Sequence, residues 1–296
     1  MASLYVHGGV SGLEKVDPPS LAEAFGLLGQ ATGGQPPTAA PPEHPSALDL
    51  VEEATRVLED HPELNAGYGA VLDRDGCLEL DAGIVDGYSG SVGAVAGVTV
   101  RHPITLARKV LEETPHALLT GEGAQNFGSA MEQLTASTDE QHARWQQAKE
   151  EGSLDLNRYG SPEHVDTVGA VALDGSGRLA AASSTGGVFG KMRGRVGDAP
   201  VFGAGIYASR RAAVIGTGVG ELFLQTLACA QTGRLIEEGM DPQKACERVV
   251  ELLGARERTA AGILALDHKG VMGAAYRGGS WLVEGPGGRI AATNIP

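Results

Sequence analysis

Apolar positions along this chain follow two periods, and the period changes where glycine or proline intervenes. "SLYVHGG" is a short apolar run closed by two glycines, which predicts a strand and then a turn. "ALDLVEEATRVLEDH" has apolar residues at helical spacing, with Ser46 placed to cap the helix start. "AGYGAVLD" and "CLELDAGIV" flank Arg74–Asp75–Gly76 and predict a hairpin. "VGAVAGVTV" predicts a strand, "PITLARKVLEET" a helix opened by Pro103, and "HALLTG" a buried strand. "VGAVAL", "RLAAASS" and "AAVIG" predict strands that lead into one helix, "GELFLQTLACAQTGRLIEEG", punctuated at Gly239. "DPQKACERVVELL" predicts a helix with Asp241 as N-cap and Pro242 in its first turn. "AGILALD" and "VMGAAYR" predict the last strands. Strands come in groups that flank helices, which favours an α+β chain with helices on antiparallel sheets over a doubly wound parallel sheet.

Two segments break the pattern. Residues 33 to 45 are Pro-rich and predict an irregular surface loop. From about 123 to 163 the chain is polar and charged, partly able to form helix, and its end, about 135–166, reads as a mobile linker. The strand "VGAVAL" follows at once, with Thr167 in front of it and Thr185 at the end of the next strand.

Composition narrows the classes. The 296 residues are 42% hydrophobic, enough for a substantial core, and 44 glycines point to many tight turns. A net charge of −14 argues against nucleic-acid partners and an anionic membrane surface. Three cysteines are too few and too odd in number for a disulfide framework, so a reducing compartment is expected. "MASLYVHGG" lacks a cationic start and a long apolar run, and no stretch nears the roughly 20 apolar residues that span a bilayer. A cytoplasmic protein without a membrane partner is therefore expected. The eight histidines show no H-E-x-x-H spacing, so no catalytic zinc is expected. Neither a phosphate-binding G-x-x-x-x-G-K-[ST] nor a G-x-S-x-G elbow occurs.

A threonine hydroxyl inside a chain is a poor nucleophile. At a chain start, its own α-amine, with a pKa near roughly 8, can take the hydroxyl proton without a histidine. A threonine behind a loose segment and at a strand edge suits that chemistry if the chain is cut before it. The plainer alternative is a β-favouring residue that opens a strand, and local physics alone favours it.

The wider pattern adds to this. "DTVGAVALDGSGRLAAASSTGG", "KMRGRVGDAPVFGAGIYA" and "GTGVGE" resemble the plant-type L-asparaginase and isoaspartyl peptidase family of N-terminal-nucleophile hydrolases. Upstream, "YVHGG", "LNAGYGAVLDRDG", "ELDAGIVDG", "GAVAGV", "HPITLARKVLE" and "LLTGEGAQNF" resemble it in the same order, so the likeness covers nearly the whole chain. The resemblance implies a four-layer αββα sandwich and self-cleavage between Asp166 and Thr167. The pieces would be an α subunit, 1–166, and a β subunit, 167–296, forming one structural domain and pairing as (αβ)2. It implies Thr167 as nucleophile, Thr185 as the threonine that tunes it, and Thr217 and Gly218 as oxyanion donors. Arg195 and Asp198 would hold the substrate's α-carboxylate and α-ammonium, Gly220 would meet the ammonium, and Asn65 would lie close to the nucleophile. Backbone carbonyls of Leu58, Glu59, His61, Leu64, Ala66 and Tyr68 match a loop that holds a structural sodium in the family; no other cofactor is implied. The implied substrate is small: L-asparagine or a β-aspartyl dipeptide. Glycosylasparaginase-like and threonine-aspartase-like relatives, and a non-processing binding protein of the same fold, stand as alternatives. The usual "PFNT"-like stretch is replaced by "AAYRGGSW".

Overall fold

The computed structural model describes residues 2–11, 45–154, 164–165, 167–256 and 260–296. The Pro-rich stretch up to residue 44, residues 155–163 of the expected linker, and Asp166 lie outside the described residues. The elements are β1 (Ser3–Ser11), α1 (Ala47–Glu59), β2 (Leu80–Asp86), β3 (Val92–Val98), α2 (Pro103–Glu113), β4 (Leu118–Thr120), α3 (Gly121–Phe127) and α4 (Asp139–Glu151). They continue with β5 (His164–Val165), β6 (Val168–Leu173), β7 (Leu179–Thr185), β8 (Ile206–Ala208), β9 (Ala212–Gly218), α5 (Gly220–Thr226), α6 (Ala228–Glu237) and α7 (Pro242–Arg256). The last strands are β10 (Ala261–Asp267), β11 (Met272–Arg277), β12 (Trp281–Gly285), β13 (Gly288–Ile290) and β14 (Thr293–Asn294).

Among the described residues, one sheet runs β13-β12-β1-β6-β7-β2-β3-β4, with β5 paired to the end of β1. A second runs β14-β11-β10-β9-β8. Every described pair is antiparallel except β3–β4 and β11–β14, as the grouping of strands predicted. Helices α1 and α2 pack on the first sheet, α6 and α7 on the second, and β6 and β7 face β9 across the gap between sheets.

Three apolar clusters follow from that packing. Helix α1 buries Val51, Ala54 and Leu58, one stripe at helical spacing, together with Ile104 and Leu106 of α2. Ala245, Cys246, Val249 and Leu253 of α7 seal the second sheet. Val171, Leu173, Leu179, Ile206, Ile215 and Leu264 fill the space between sheets. Among the described residues, no helix is long and apolar enough to cross a membrane.

Several elements differ from the sequence expectation. "AGYGAVLD" forms a short 3₁₀ turn at Gly67–Gly69 and no strand, because its backbone groups bond within that turn, to the Asn65 and Ser137 side chains and to Gly190 rather than to a strand; the turn at Asp73–Cys77 does form. "HALLTG" is an edge strand with Leu118 exposed. The long helix expected from 220 breaks at Leu227, which has φ of 51°, so α5 and α6 are separate. The strand β1 runs through both glycines of "HGG" to Ser11. Strands β12 to β14 were not expected, being short and broken by glycine. Helix α4 lies inside the segment read as a linker, capped by Thr138, with Trp145 buried.

Candidate active site

The site lies at one end of the gap between the sheets. Side chains alternate along a strand, and Val171, Leu173, Leu179 and Ala181 all face that gap. The same parity turns Thr167, just before β6, and Thr185, the last residue of β7, toward the second sheet. The Thr167 hydroxyl donates to Thr185 Oγ1 at 3.3 Å. The Thr167 N–H donates to Thr217 Oγ1 of β9, also at 3.3 Å. Three threonines from three strands and two sheets thus meet, all buried.

The turn after β7 supports them. Gly187 N–H donates to Thr185 Oγ1 at 3.0 Å, so that oxygen accepts from two sides. Asn65 holds the same turn: its Nδ2 donates to the Gly187 carbonyl at 2.7 Å, and its backbone carbonyl accepts from Gly186 N–H at 3.0 Å. Gly187 has φ of +82°, a conformation that a side chain would strain.

Arg195 and Asp198 sit side by side next to Gly220. A Cβ on Gly220 would fall 2.8 Å from Asp198 Oδ1 and 2.9 Å from Arg195 Nη2, so a side chain there would push both groups aside. Arg195 also reaches the turn after β7, since its Nη1 lies 3.3 Å from where a Gly187 Cβ would be. Its Nε and Nη2 donate to Glu221 at 3.0 and 2.9 Å, a bidentate pair. Asp198 is buried, and its Oδ2 has no hydrogen-bond partner among the described residues. Burial pushes the Asp198 carboxyl up to about 7; Arg195 pulls against this, while Glu221 and Asp81 add to it. A buried carboxylate with one free oxygen beside a guanidinium can receive an ammonium and a carboxylate held by one carbon.

Thr217 and Gly218 close the opposite wall at the end of β9, paired with Gly262 and Ala261. Trp281, from the divergent "AAYRGGSW" block, backs Thr217: the Trp281 ring and Thr217 Cγ2 both lie 3.0–3.1 Å from where a Gly262 Cβ would fall. The Trp281 ring centre lies 5.6 Å from that of the buried His7. Burial lowers the His7 pKa to about 3, so His7 is neutral.

The loop after α1 contains Leu58, Glu59, His61, Leu64, Ala66 and Tyr68. The carbonyls of Leu64, Pro62 and His61 lie 2.3, 2.6 and 2.7 Å from where a Gly69 Cβ would fall, so they converge on a point only glycine leaves open. The Glu59 side chain turns away, accepting from Ser184 Oγ at 2.6 Å and Ile104 N–H at 3.1 Å. The described residues place every expected site residue except Asp166 and bring Asn65, Thr167, Thr185, Arg195, Asp198, Thr217, Gly218 and Gly220 together. Sequence reasoning missed Glu221, although it ends the "GTGVGE" motif, and Trp281, Lys191, Asp81 and Glu79. Their charges and aromatic ring are ordinary in sequence, and only their meeting in space gives them meaning.

This α+β arrangement, with a threonine opening an inner strand, is that of the N-terminal-nucleophile hydrolase fold. A family model described as asparaginase matches residues 4–283, and the chain belongs to this asparaginase family. It is 46% identical over 237 residues to the isoaspartyl peptidase of Salmonella typhimurium, covering 76% of each chain. It is 44% identical over 243 residues to the plant-type L-asparaginase of Pyrococcus abyssi, covering 77% of this chain and 79% of that protein. It is 40% identical over 234 residues to the isoaspartyl peptidase/L-asparaginase of Rattus norvegicus, covering 76% and 69%.

Proposed function

We propose that this protein is a self-cleaving amidohydrolase that splits the side-chain amide of L-asparagine or the isopeptide bond of β-aspartyl dipeptides. One observation carries the reading: the hydroxyl and the N–H of Thr167 are each held by another threonine, at 3.3 Å in both cases. The names of the relatives support the substrate class.

In the first stage the Thr167 oxygen attacks the Asp166 carbonyl. The C–N bond breaks, an ester forms, and the nitrogen becomes the Thr167 α-amine. Water then hydrolyses the ester, freeing the Asp166 carboxyl and restoring the hydroxyl. In the second stage the free amine, no longer an amide, takes the hydroxyl proton. The Thr167 oxygen attacks the substrate's side-chain carbonyl, and ammonia or the amino end of the second residue leaves with a proton. Water releases aspartate from the β-aspartyl ester. The Thr217 hydroxyl and Gly218 N–H stabilise the oxyanion in each tetrahedral intermediate. Thr185 orients the nucleophile through the 3.3 Å hydrogen bond. Arg195 receives the α-carboxylate after yielding part of its Glu221 pair, and Asp198 with the Gly220 carbonyl receives the α-ammonium.

The assembly belongs to the same proposal. The three apolar clusters fit a four-layer αββα sandwich, the cut pieces stay together through β1–β6 pairing, and two such heterodimers form (αβ)2. Backbone carbonyls of Leu58, Glu59, His61, Leu64, Ala66 and Tyr68, on the loop after α1, would hold the sodium that the family resemblance implies, and so stiffen the loop carrying Asn65. No catalytic step uses it. The expected setting is the cytoplasm.

Intact mass and a parallel assay of asparagine, a β-aspartyl dipeptide and glycosylated asparagine test the proposal. Two fragments split before Thr167 and turnover of one of the first two substrates are expected. A chain that stays whole and inert after long incubation overturns it.

A further inference from the structure

Among the described residues Lys191 is one of the largest fully buried side chains, at 1% exposure, and the proposed chemistry does not use it. Its Nζ donates to the Glu79 carbonyl at 2.8 Å. Nζ also lies 3.2 Å from where a Gly187 Cβ would be, the same point that Arg195 Nη1 approaches to 3.3 Å. The buried ammonium and the guanidinium that would bind substrate therefore both approach the turn after Thr185.

Two carboxylates complete the arrangement. Glu79 Oε2 accepts from Gly194 N–H at 2.7 Å. Asp81 Oδ2 accepts from Gly197 N–H at 3.4 Å, and its Oδ1 from Gly97 N–H at 3.0 Å. Gly194 and Gly197 bracket Arg195, so the loop is gripped on both sides of the guanidinium. Asp81 is also the cross-strand partner of Thr185 on β2. Without a grip this loop has little to hold it: Met192 is 62% exposed and the Arg193 side chain 69%.

We infer that Lys191, Asp81 and Glu79 form a clamp that presents Arg195 to the substrate carboxylate, and that all three are positioning residues acting through Arg195. The carboxylates fix the loop backbone, and Lys191 ties that loop to Glu79, the residue just ahead of β2. Lys191 also supplies the positive charge that two buried or half-buried carboxylates need. The inference rests on the proposed function for its substrate and on the geometry alone for the clamp.

The test uses the full chain carrying Lys191→Met, Asp81→Asn or Glu79→Gln. Expected is a roughly ten- to hundredfold rise in KM for asparagine from the misplaced guanidinium, with kcat and the rate of self-cleavage within about twofold of wild type. A purely structural residue would instead move self-cleavage and thermal midpoint along with KM. In an Arg195→Ala background, Lys191→Met should add almost nothing, because the clamp has no guanidinium left to aim. An unchanged KM in a folded variant, or an equal Lys191→Met effect with and without Arg195, overturns the inference. If Lys191→Met does not fold, Glu79→Gln carries the test, since it keeps the carbonyl that Lys191 uses. If the wild type turns over neither asparagine nor a β-aspartyl dipeptide, the proposed function fails and the clamp is read by trypsin. Cutting after Arg193 or Arg195 should be faster in Lys191→Met than in wild type, and equal rates sink the clamp.

Discussion

The helix-covered layers and the gap between the sheets are built from different material. Under α1, α2, α6 and α7 the buried side chains are mainly leucine, valine, isoleucine and alanine. In the gap, apolar packing by Val171, Leu179 and Ile215 gives way at one end to Thr167, Thr185, Thr217, Asp81 and Asp198, all buried and polar. Burying such groups costs free energy unless each finds a partner, and Asp198 Oδ2 has none among the described residues. The outer layers carry stability; the polar end of the gap holds, in Asp198, a buried carboxylate that the proposed zwitterionic substrate would complete.

That contrast can be tested from both sides, and the largest effect is on the gap. Thr167→Ala should abolish self-cleavage and hydrolysis, leaving a single chain of 296 residues in intact mass, while the thermal midpoint shifts little. Leu106→Ala, in the outer layer and fully buried, should do the reverse. It should cost about 2–5 kcal/mol in denaturant unfolding with kcat/KM near wild type wherever the chain is folded.

Asp198 tests the stored cost directly. Its folded pKa, about 7, lies above the ordinary 3.8. The contribution of this group is therefore full below about pH 4 and lost as pH rises through about 7. Asp198→Asn should be more stable than wild type at about pH 8, by up to a few kcal/mol, with the advantage fading toward about pH 4. The substituted protein should also bind L-aspartate weakly, and wild-type KM should rise as pH falls below about 7, where the carboxylate is lost. A stability gap that does not change between these pH values would remove the idea of a destabilised binding carboxylate. The smallest effect belongs to the outer edge. Ser46 accepts from Asp49 N–H and Asp49 returns the bond in a capping box. Ser46→Ala should cost about 1 kcal/mol and leave turnover unchanged.

Local signals were legible where local physics decides. Ser46, Pro103 and Asp241 marked helix starts, because caps satisfy N–H groups within a few residues. The misses share a cause. Leu227 takes a left-handed conformation that no propensity favours in leucine, and "AGYGAVLD" reads as a strand by alternation but bonds to its own turn, to side chains and to Gly190. The site was legible only through resemblance, since a threonine before a strand is ordinary by itself.

The strands β6, β7, β9, β10 and β11, the apolar stripes of α1, α2 and α7, and the places of the threonines at 167 and 185 were determined by sequence alone, because period and capping act over a few residues. Tertiary structure alone decided that Thr217 meets Thr167 across 50 residues of chain, that Glu221 pairs with Arg195, and that Lys191 is buried. Those outcomes depend on how two sheets stack, and no residue carries the geometry of that stacking in its own identity.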